Sequence, residues 1–283
     1  MTNATGVNAG DAEVLVDLDK CPMCASSDLN VIKKVAYPEG VLQVSRCTRC
    51  SISFSSTRFS DEFLNAKYYS KNYEEEIVGS LDYAEVSERF FQGIVAHARR
   101  IKPGGKWLDM GCGRGYLLHA ASRSGFECHG IDLKSDFLSS PNVKYSNHDF
   151  LTFEFGDERY DIITMINILD HIGAPVPYLE KVYHLLKPGG VLLIHVPNEY
   201  YFSKKLLPSG YSPNVHIVNY SEKNIGSILK RFGFSKVEFV APTYKLRKKK
   251  GTMMLVLLLE AFNRVASVFS NGIWFSMQVI AHK

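Results

Sequence analysis

The sequence has neither a secretory signal nor a long apolar run. Its first 20 residues contain acidic side chains and lack the apolar core of a signal peptide. No apolar run reaches the length of about 18 residues that indicates a transmembrane helix. Without a secretory signal, the six cysteines indicate thiols or metal ligands instead of a disulfide framework. These absences predict a cytoplasmic protein.

A charge excess large enough to indicate nucleic-acid binding is missing as well. The chain has 33 basic and 29 acidic residues, which give a formal net charge of +4. Apolar residues make up 46% of the chain and charged residues 22%, as in soluble globular proteins. We detect no internal repeat, and 283 residues suffice for one large domain or two modest ones.

A glycine-rich turn in residues 107–115 is the most informative feature that is present. An apolar strand enters this turn, a helix follows, and a second strand ends in Asp132, 21 residues after Gly111. Such a βαβ unit binds nucleotides, and an acid at this position accepts hydrogen bonds from ribose. Tyr116, where a third packed glycine would lie, and the acid Asp109 both argue against a dinucleotide. The pattern predicts a ligand with a ribose and a positive charge but no phosphate.

Three further motifs follow in order along the chain. They are Asp149 within residues 147–150, the apolar segment 160–171, and the helix end, turn and strand of residues 185–194. With the glycine turn, they resemble the class I S-adenosylmethionine (SAM)-dependent methyltransferases over about residues 100–200. The resemblance implies an α/β fold, a Rossmann-like seven-stranded sheet with helices on both faces, in which the last strand is antiparallel.

The same resemblance implies a SAM site. Gly111 and Gly113 approach the methionine part of SAM, and Cys112 contributes through its backbone amide more than through its thiol. Asp109 attracts the ammonium group, Asp132 binds the ribose hydroxyls, and Asp149 binds the adenine amino group. Asn167 is a further contact. The full predicted set is Asp109, Gly111, Cys112, Gly113, Asp132, Asp149 and Asn167.

Two pairs of cysteines precede this region. A spacing of 22 residues separates one C-x-x-C pair from the next, and residues 29–37 and 41–45 between them are predicted strands joined by a turn. This layout is typical of a zinc ribbon, in which four thiolates form a closed structural Zn²⁺ site. The alternative is four reduced cysteines in a core. The predicted ligands are Cys21, Cys24, Cys47 and Cys50.

The predicted organisation has four parts, a flexible leader over 1–17, the ribbon over 18–55, a helical linker or lid over 56–100, and the methyltransferase domain over 101–283. The linker contains Tyr68, Tyr69 and Tyr73. These side chains either close over SAM or the acceptor, or serve only as packing residues. A ribbon followed by a Tyr-Tyr segment resembles methyltransferases that act on sugars and related small metabolites.

A hydroxyl acceptor holds its proton tightly and therefore needs a base within reach. His216 and His171 are the candidates, with His216 preferred, although each is also consistent with an ordinary loop histidine. His195 lies inside an apolar strand, which indicates a core histidine. Glu199 and Tyr220 are weaker candidates.

Residues 245–250 hold five cations in six positions, and an apolar run over 253–259 follows. These segments indicate either a solvated turn and a core helix, or a surface that attracts an anionic acceptor or touches a membrane.

The sequence therefore favours a SAM-dependent methyltransferase for a small molecule, with a sugar or nucleotide-sugar preferred. Two alternatives remain, methylation of RNA or protein through the ribbon, and SAM binding without catalysis. Tyr37 is the sole aromatic between Cys21 and Cys50, so no base-stacking platform supports nucleic acid as a partner.

Overall fold

The computed structural model describes residues 14–67, 81–133, 137–199, 213–214, 216–240 and 276–283. The predictions for residues 1–13, for Tyr68, Tyr69 and Tyr73, and for the segments 245–250 and 253–259 lie outside these residues. None of the described helices is long and apolar enough to cross a membrane.

Twelve strands and five α-helices make up the described structure. The strands are β1 (Leu15–Asp17), β2 (Leu29–Tyr37), β3 (Gly40–Cys47), β4 (Ser53–Phe59), β5 (Gly105–Met110), β6 (Phe126–Asp132), β7 (Val143–Asn147), β8 (Tyr160–Ile166), β9 (Leu186–Pro197), β10 (Val218–Asn219), β11 (Lys236–Val240) and β12 (Ser276–His282). The helices are α1 (Asp61–Lys67), α2 (Leu81–Ile101), α3 (Tyr116–Arg123), α4 (Pro175–Leu185) and α5 (Glu222–Arg231), with a 3₁₀ turn at Leu169–His171.

Seven strands form the larger sheet, in the order β11-β12-β9-β8-β5-β6-β7. The strands from β9 to β7 pair in parallel, whereas β12 is antiparallel to both β9 and β11. This arrangement confirms the predicted Rossmann-like sheet with one antiparallel strand.

Alternating side chains place helices on both faces of this sheet. On β5, Trp107 belongs to the apolar cluster that includes α2 and α3. The next residue, Leu108, belongs to the cluster that includes α4 and α5. The same alternation recurs on β9, where Leu192 and Leu193 pack on opposite faces.

The cysteine-bearing region forms a second sheet, in the order β1-β4-β3-β2. We refer to β1–β4 as the N-terminal sheet. It is larger than the predicted ribbon, because β1 extends into the predicted leader and β4 continues past residue 55 to Phe59. Strand β10, far along the sequence, also pairs with β4. The N-terminal sheet and one face of the larger sheet share a continuous apolar core.

Two helix ends illustrate how local chemistry decides boundaries. Ser221 caps α5, since its hydroxyl accepts from Asn224 N and its own N–H donates to Asn224 Oδ1. Helix α4 ends at Leu185, and Leu186 is the first residue of β9. Pro188 explains why the helix ends here, because proline disfavours helical backbone at the preceding residue and cannot continue the helix.

Candidate functional site

The glycine turn leaves β5 at the carboxyl edge of the larger sheet. Gly111 and Gly113 have φ of +72° and +49°, in the left-handed region that glycine adopts at little cost. A Cβ on Gly111 would lie 2.9 Å from a side-chain atom of Ile168. A Cβ on Gly113 would meet no described atom within 4 Å. The turn therefore packs tightly on one side and leaves space beside Gly113.

Asp132 lies next to this space, at the end of β6. The Gly113 N–H donates to its Oδ2 at 2.8 Å, so the predicted ribose-binding carboxylate and the glycine turn are joined directly. The amide of Cys112 does not point the same way, because it is directed at Ile131 O at 3.4 Å. Gly113 and Asp132 thus lie side by side at the turn, whereas the Cys112 amide is directed at β6.

Asp109 lies beneath the turn, on β5. Its side chain is buried, and its Oδ1 accepts a 2.6 Å hydrogen bond from Thr164 Oγ1 on β8. The pKa of Asp109 is raised to about 7, chiefly by burial; the Thr164 hydrogen bond acts to lower it and the negative charge of Asp132 to raise it. A bound cation such as an ammonium group would oppose this effect by favouring the ionised carboxylate.

The two remaining predicted cofactor residues also lie at this edge. Asp149 follows β7, and its Oδ1 accepts from Thr152 N at 3.0 Å. Asn167 follows β8 with φ of +54°, and its Oδ1 pairs with His195 Nδ1 at 2.7 Å. His195 also contacts Ser276 Oγ at 2.9 Å, and burial lowers its pKa to about 4. The interpretation of His195 as a satisfied core histidine is confirmed.

The two candidate bases come together around a buried carboxylate. Asp170 Oδ2 lies 2.5 Å from His216 Nδ1 and 3.6 Å from His171 Nε2. Asp170 is 2% exposed, whereas the His216 and His171 side chains are 33% and 22% exposed. The three side chains form a cluster with a buried acid and two accessible imidazoles, at the carboxyl end of β8.

The electrostatics of Asp170 follow from its two neighbours. Burial alone would raise its pKa, but the His216 hydrogen bond and the imidazoles hold the pKa below its usual value. Its second oxygen, Oδ1, is buried without a hydrogen-bond partner among the described residues. The carboxylate is therefore ionised and directed at His216.

The three groups are also close enough to share a metal ion. The short distance argues for a hydrogen bond, however, because two ligands of one tetrahedral zinc lie about 3.3 Å apart. At 2.5 Å, His216 Nδ1 and Asp170 Oδ2 lie within hydrogen-bond distance, with the carboxylate as the charged acceptor.

Glu199 and Tyr220, the weaker candidates, are both engaged in other contacts. Glu199 Oε1 forms a 2.8 Å ion pair with Arg46 of β3. Tyr220 is fully buried, and burial raises its pKa well above 10.0. Neither is placed as well as His216 to accept a proton.

The four paired cysteines converge at the end of the N-terminal sheet. The Sγ atoms of Cys21 and Cys50 lie 3.5 Å apart, as do those of Cys24 and Cys47, and all four lie within 4.8 Å of one another. A disulfide would require about 2.05 Å. Four thiolates at about 2.3 Å from a central tetrahedral zinc would lie about 3.8 Å apart, close to the observed spacing.

Asp170 is not among the site residues predicted from the sequence. It stands directly before His171, at the end of an apolar strand where ligands of open α/β sheets bind, and that position was the available signal. Its partner His216 lies 46 residues further on, so no local spacing could pair them.

An open sheet of this order, with a glycine turn and an acid at the carboxyl ends of neighbouring strands, has the class I methyltransferase fold. The methyltransferase-domain family matches residues 83–238, more than half of the 283-residue chain, and the chain belongs to this family. The matched region does not include the N-terminal sheet.

Curated relatives include both N- and O-methyltransferases. Phosphoethanolamine N-methyltransferase 2 of Caenorhabditis elegans is 30% identical over 165 residues, which cover 54% of this chain and 38% of that protein. Ubiquinone biosynthesis O-methyltransferase of Actinobacillus pleuropneumoniae serotype 7 is 30% identical over 110 residues, which cover 34% of this chain and 47% of that protein. The chain therefore spans less than half the length of these two relatives.

Solved structures share the fold. The plantazolicin methyltransferase BpumL, in complex with a pentazolic desmethylPZN analog and SAH, has a TM-score of 0.54 and 15% identity, with 78% of this chain and 94% of that chain covered. Phosphoethanolamine N-methyltransferase 2 of Haemonchus contortus, in complex with SAM, has a TM-score of 0.52 and 16% identity, with 89% and 71% covered.

Proposed function

We propose that the protein is a SAM-dependent methyltransferase that acts on a hydroxyl of a small molecule. The observation that carries this proposal is the presence of two complementary halves at one sheet edge. The glycine turn with Asp132 can hold a nucleoside, and the Asp170–His216 pair can take up a proton. Ligands of open α/β sheets bind at this edge.

The cofactor half suits SAM in its charges and its shape. Asp132 would accept hydrogen bonds from the ribose hydroxyls, Asp149 would meet the adenine amino group, and Asp109 would attract the ammonium group. Gly113 leaves room for the methionine part, since a Cβ added there would meet no described atom within 4 Å. When bound, SAM supplies a methyl group to an in-line attacking atom. Two structural neighbours were solved in complex with SAH and with SAM, respectively.

The acceptor half can activate a hydroxyl. If His216 donates its Nδ1 hydrogen to Asp170, its Nε2 is the basic atom and faces away from the carboxylate. As the acceptor oxygen forms its bond to the methyl carbon and the carbon–sulfur bond breaks, the hydroxyl proton passes to Nε2. The ionised Asp170 stabilises the resulting imidazolium, and His171 lies beside the same site.

Within this chemistry, a sugar or nucleotide-sugar is the first acceptor class to test. An imidazole base suits an alcohol, which must lose a proton, better than an amine, which attacks through a lone pair. One curated relative is named as an N-methyltransferase and the other as an O-methyltransferase, so both acceptor atoms occur among the relatives of this chain.

We further propose that Cys21, Cys24, Cys47 and Cys50 bind one structural Zn²⁺. The spacing of the sulfur atoms supports this proposal, and a closed four-thiolate site leaves no position for an acceptor. The zinc would stabilise the N-terminal sheet without taking part in methyl transfer.

Calorimetric titration with SAM and SAH tests the cofactor site. We expect Asp132→Ala to weaken SAM binding about 10- to 100-fold, because it removes charged hydrogen bonds of about 1.5–3 kcal/mol. Asp157→Ala, in an exposed turn, is the matched control and should bind as the wild type does. A folded wild-type protein that binds neither compound would contradict the proposal. Release of SAH with a panel of sugars and nucleotide-sugars then tests the acceptor class.

A further inference from the structure

The segment that carries His216 is attached to the N-terminal sheet. Strand β10 directly follows this segment and pairs antiparallel with β4, with Val218 opposite Phe54 and Asn219 opposite Ser53. The N–H of Ser55 donates to Ile217 O at 2.8 Å. One candidate catalytic residue of the methyltransferase domain is therefore connected to strands that precede that domain in the sequence.

Ser55 contacts this segment on both sides of His216. Its amide binds Ile217, and its hydroxyl donates to Pro213 O at 3.0 Å. Ser55 is fully buried, so water does not compete for its amide or its hydroxyl. A single residue of β4 thus binds the backbone three residues before and one residue after the candidate base.

A second hydroxyl of the N-terminal sheet acts on the same segment. Tyr37, at the end of β2, donates from its hydroxyl to Asn214 Oδ1 at 3.1 Å. The Arg46–Glu199 ion pair at 2.8 Å connects β3 to the end of β9 nearby. Three strands of the N-terminal sheet therefore contact the acceptor side of the site.

The position of this backbone decides whether His216 can meet Asp170. The 2.5 Å contact between them requires the Nδ1 atom to be directed at a carboxylate fixed on the 3₁₀ turn after β8. His216 is one-third exposed, and its ring lies beside the His171 ring with 5.1 Å between the centroids. A displacement of about 1 Å in a catalytic group is enough to lower a rate substantially.

We propose that Ser55 and Tyr37 are positioning residues for methyl transfer, and that the N-terminal sheet is the scaffold of the acceptor site. The sheet holds residues 213–214 and 216–219 so that His216 is oriented on Asp170. This inference rests on the proposed role of His216 as the base. It assigns the N-terminal sheet a role in orienting the acceptor site, instead of a role in binding an RNA or protein substrate.

Nuclear magnetic resonance of the histidine ring nitrogens tests the inference without a known acceptor. The full-length protein is labelled with nitrogen-15, and His216 is assigned by comparison with His216→Gln. We expect the wild type to show His216 as a single Nδ1–H tautomer. In Ser55→Ala and Tyr37→Phe, we expect a mixture of tautomers and about fivefold faster amide exchange at residues 217–219, as the loss of one hydrogen bond predicts.

Ser56→Ala is the matched control. Ser56 is the next residue of β4 and is buried, but its hydroxyl pairs with Ser45 Oγ at 2.7 Å, within the N-terminal sheet. We expect this variant to keep the wild-type His216 signals. A folded Ser55→Ala with wild-type signals, or the same change in Ser56→Ala, would overturn the inference. Should Ser55→Ala fail to fold, Tyr37→Phe decides alone, because it removes one oxygen from a partly exposed ring.

The same samples separate this inference from the proposed function. SAH titrated into each variant should bind with unchanged affinity, because Ser55 and Tyr37 belong to the N-terminal sheet, whereas the glycine turn and Asp132 belong to the larger sheet. An oriented His216 in a wild-type protein that binds no SAH would contradict the proposed function and leave the positioning role supported.

Discussion

His216 and Asp170 are 46 residues apart in the sequence, yet His216 Nδ1 lies 2.5 Å from Asp170 Oδ2. The carboxylate comes from the turn after β8, and the imidazole comes from the segment before β10. Because Asp170 is buried and ionised, it can fix the tautomer of His216 and stabilise its protonated form. This relationship is the support for the proposal that His216 acts as a base.

Asp170→Asn should therefore lower methyl transfer to a hydroxyl acceptor while leaving SAM binding intact. The substitution keeps the shape of the side chain but removes the charge that stabilises the imidazolium. We expect kcat/KM for the acceptor to fall about 100-fold or more, as for other oriented bases. Rates of SAH release and calorimetric SAM affinity measure the two effects. Asp157→Asn is the control, and unchanged turnover in Asp170→Asn would exclude the pair from catalysis.

SAM affinity should depend on the ionisation of Asp109. Burial raises the pKa of this carboxyl to about 7, so it is largely neutral below that pH and does not attract an ammonium group. We expect SAM to bind more weakly as the pH falls from 7.5 to 5.5, approaching a tenfold loss per unit at the acidic end. Calorimetry across this range gives the measurement. In Asp109→Asn, binding should be weak and nearly independent of pH, and a persisting pH dependence would assign the effect to another group.

The same carboxyl should make the SAM-free protein less stable at neutral pH. The pKa of Asp109 is raised from 3.8 to about 7 in the folded state. Its contribution to stability is therefore full below about pH 3.8 and is lost as the pH rises to about 7. We expect Asp109→Asn to raise the free energy of unfolding relative to the wild type by about 1–3 kcal/mol at pH 8, with a smaller gain at pH 5. Urea denaturation at both values measures the difference, and a gain that does not grow with pH would contradict it.

The sequence is sufficient to predict the larger sheet, because each of its elements has a local signal. The glycine turn follows β5 and Asp132 ends β6, as the strand–turn–helix–strand motif predicts. Features that depend on distant contacts could not be predicted in this way. Strand β10 has two residues and no periodicity, so its pairing with β4 is set by tertiary packing alone. The partnership of Asp170 with His216 depends on that pairing.

Removal of metal from the cysteine cluster should affect the two halves of the site differently. If the four thiolates bind zinc, elemental analysis should find about one zinc per chain in the wild type and much less in Cys47→Ser. Cys128→Ser is the control, since Cys128 is buried in the larger sheet, apart from the cluster, and should leave the zinc content unchanged.

Chelation should then speed amide exchange in β1–β4 and in residues 217–219, because β10 is paired to β4. The glycine turn and Asp132 belong to the larger sheet, so SAM affinity should change little. Hydrogen exchange followed by mass spectrometry, with calorimetry on the same samples, measures both effects. A loss of SAM binding equal to the loss of order in the N-terminal sheet would mean that the two sheets unfold as one unit. Chelation could instead remove the protection from amide exchange in β1–β4 and leave it unchanged at residues 217–219. That result would show that the acceptor side is held in place without the N-terminal sheet.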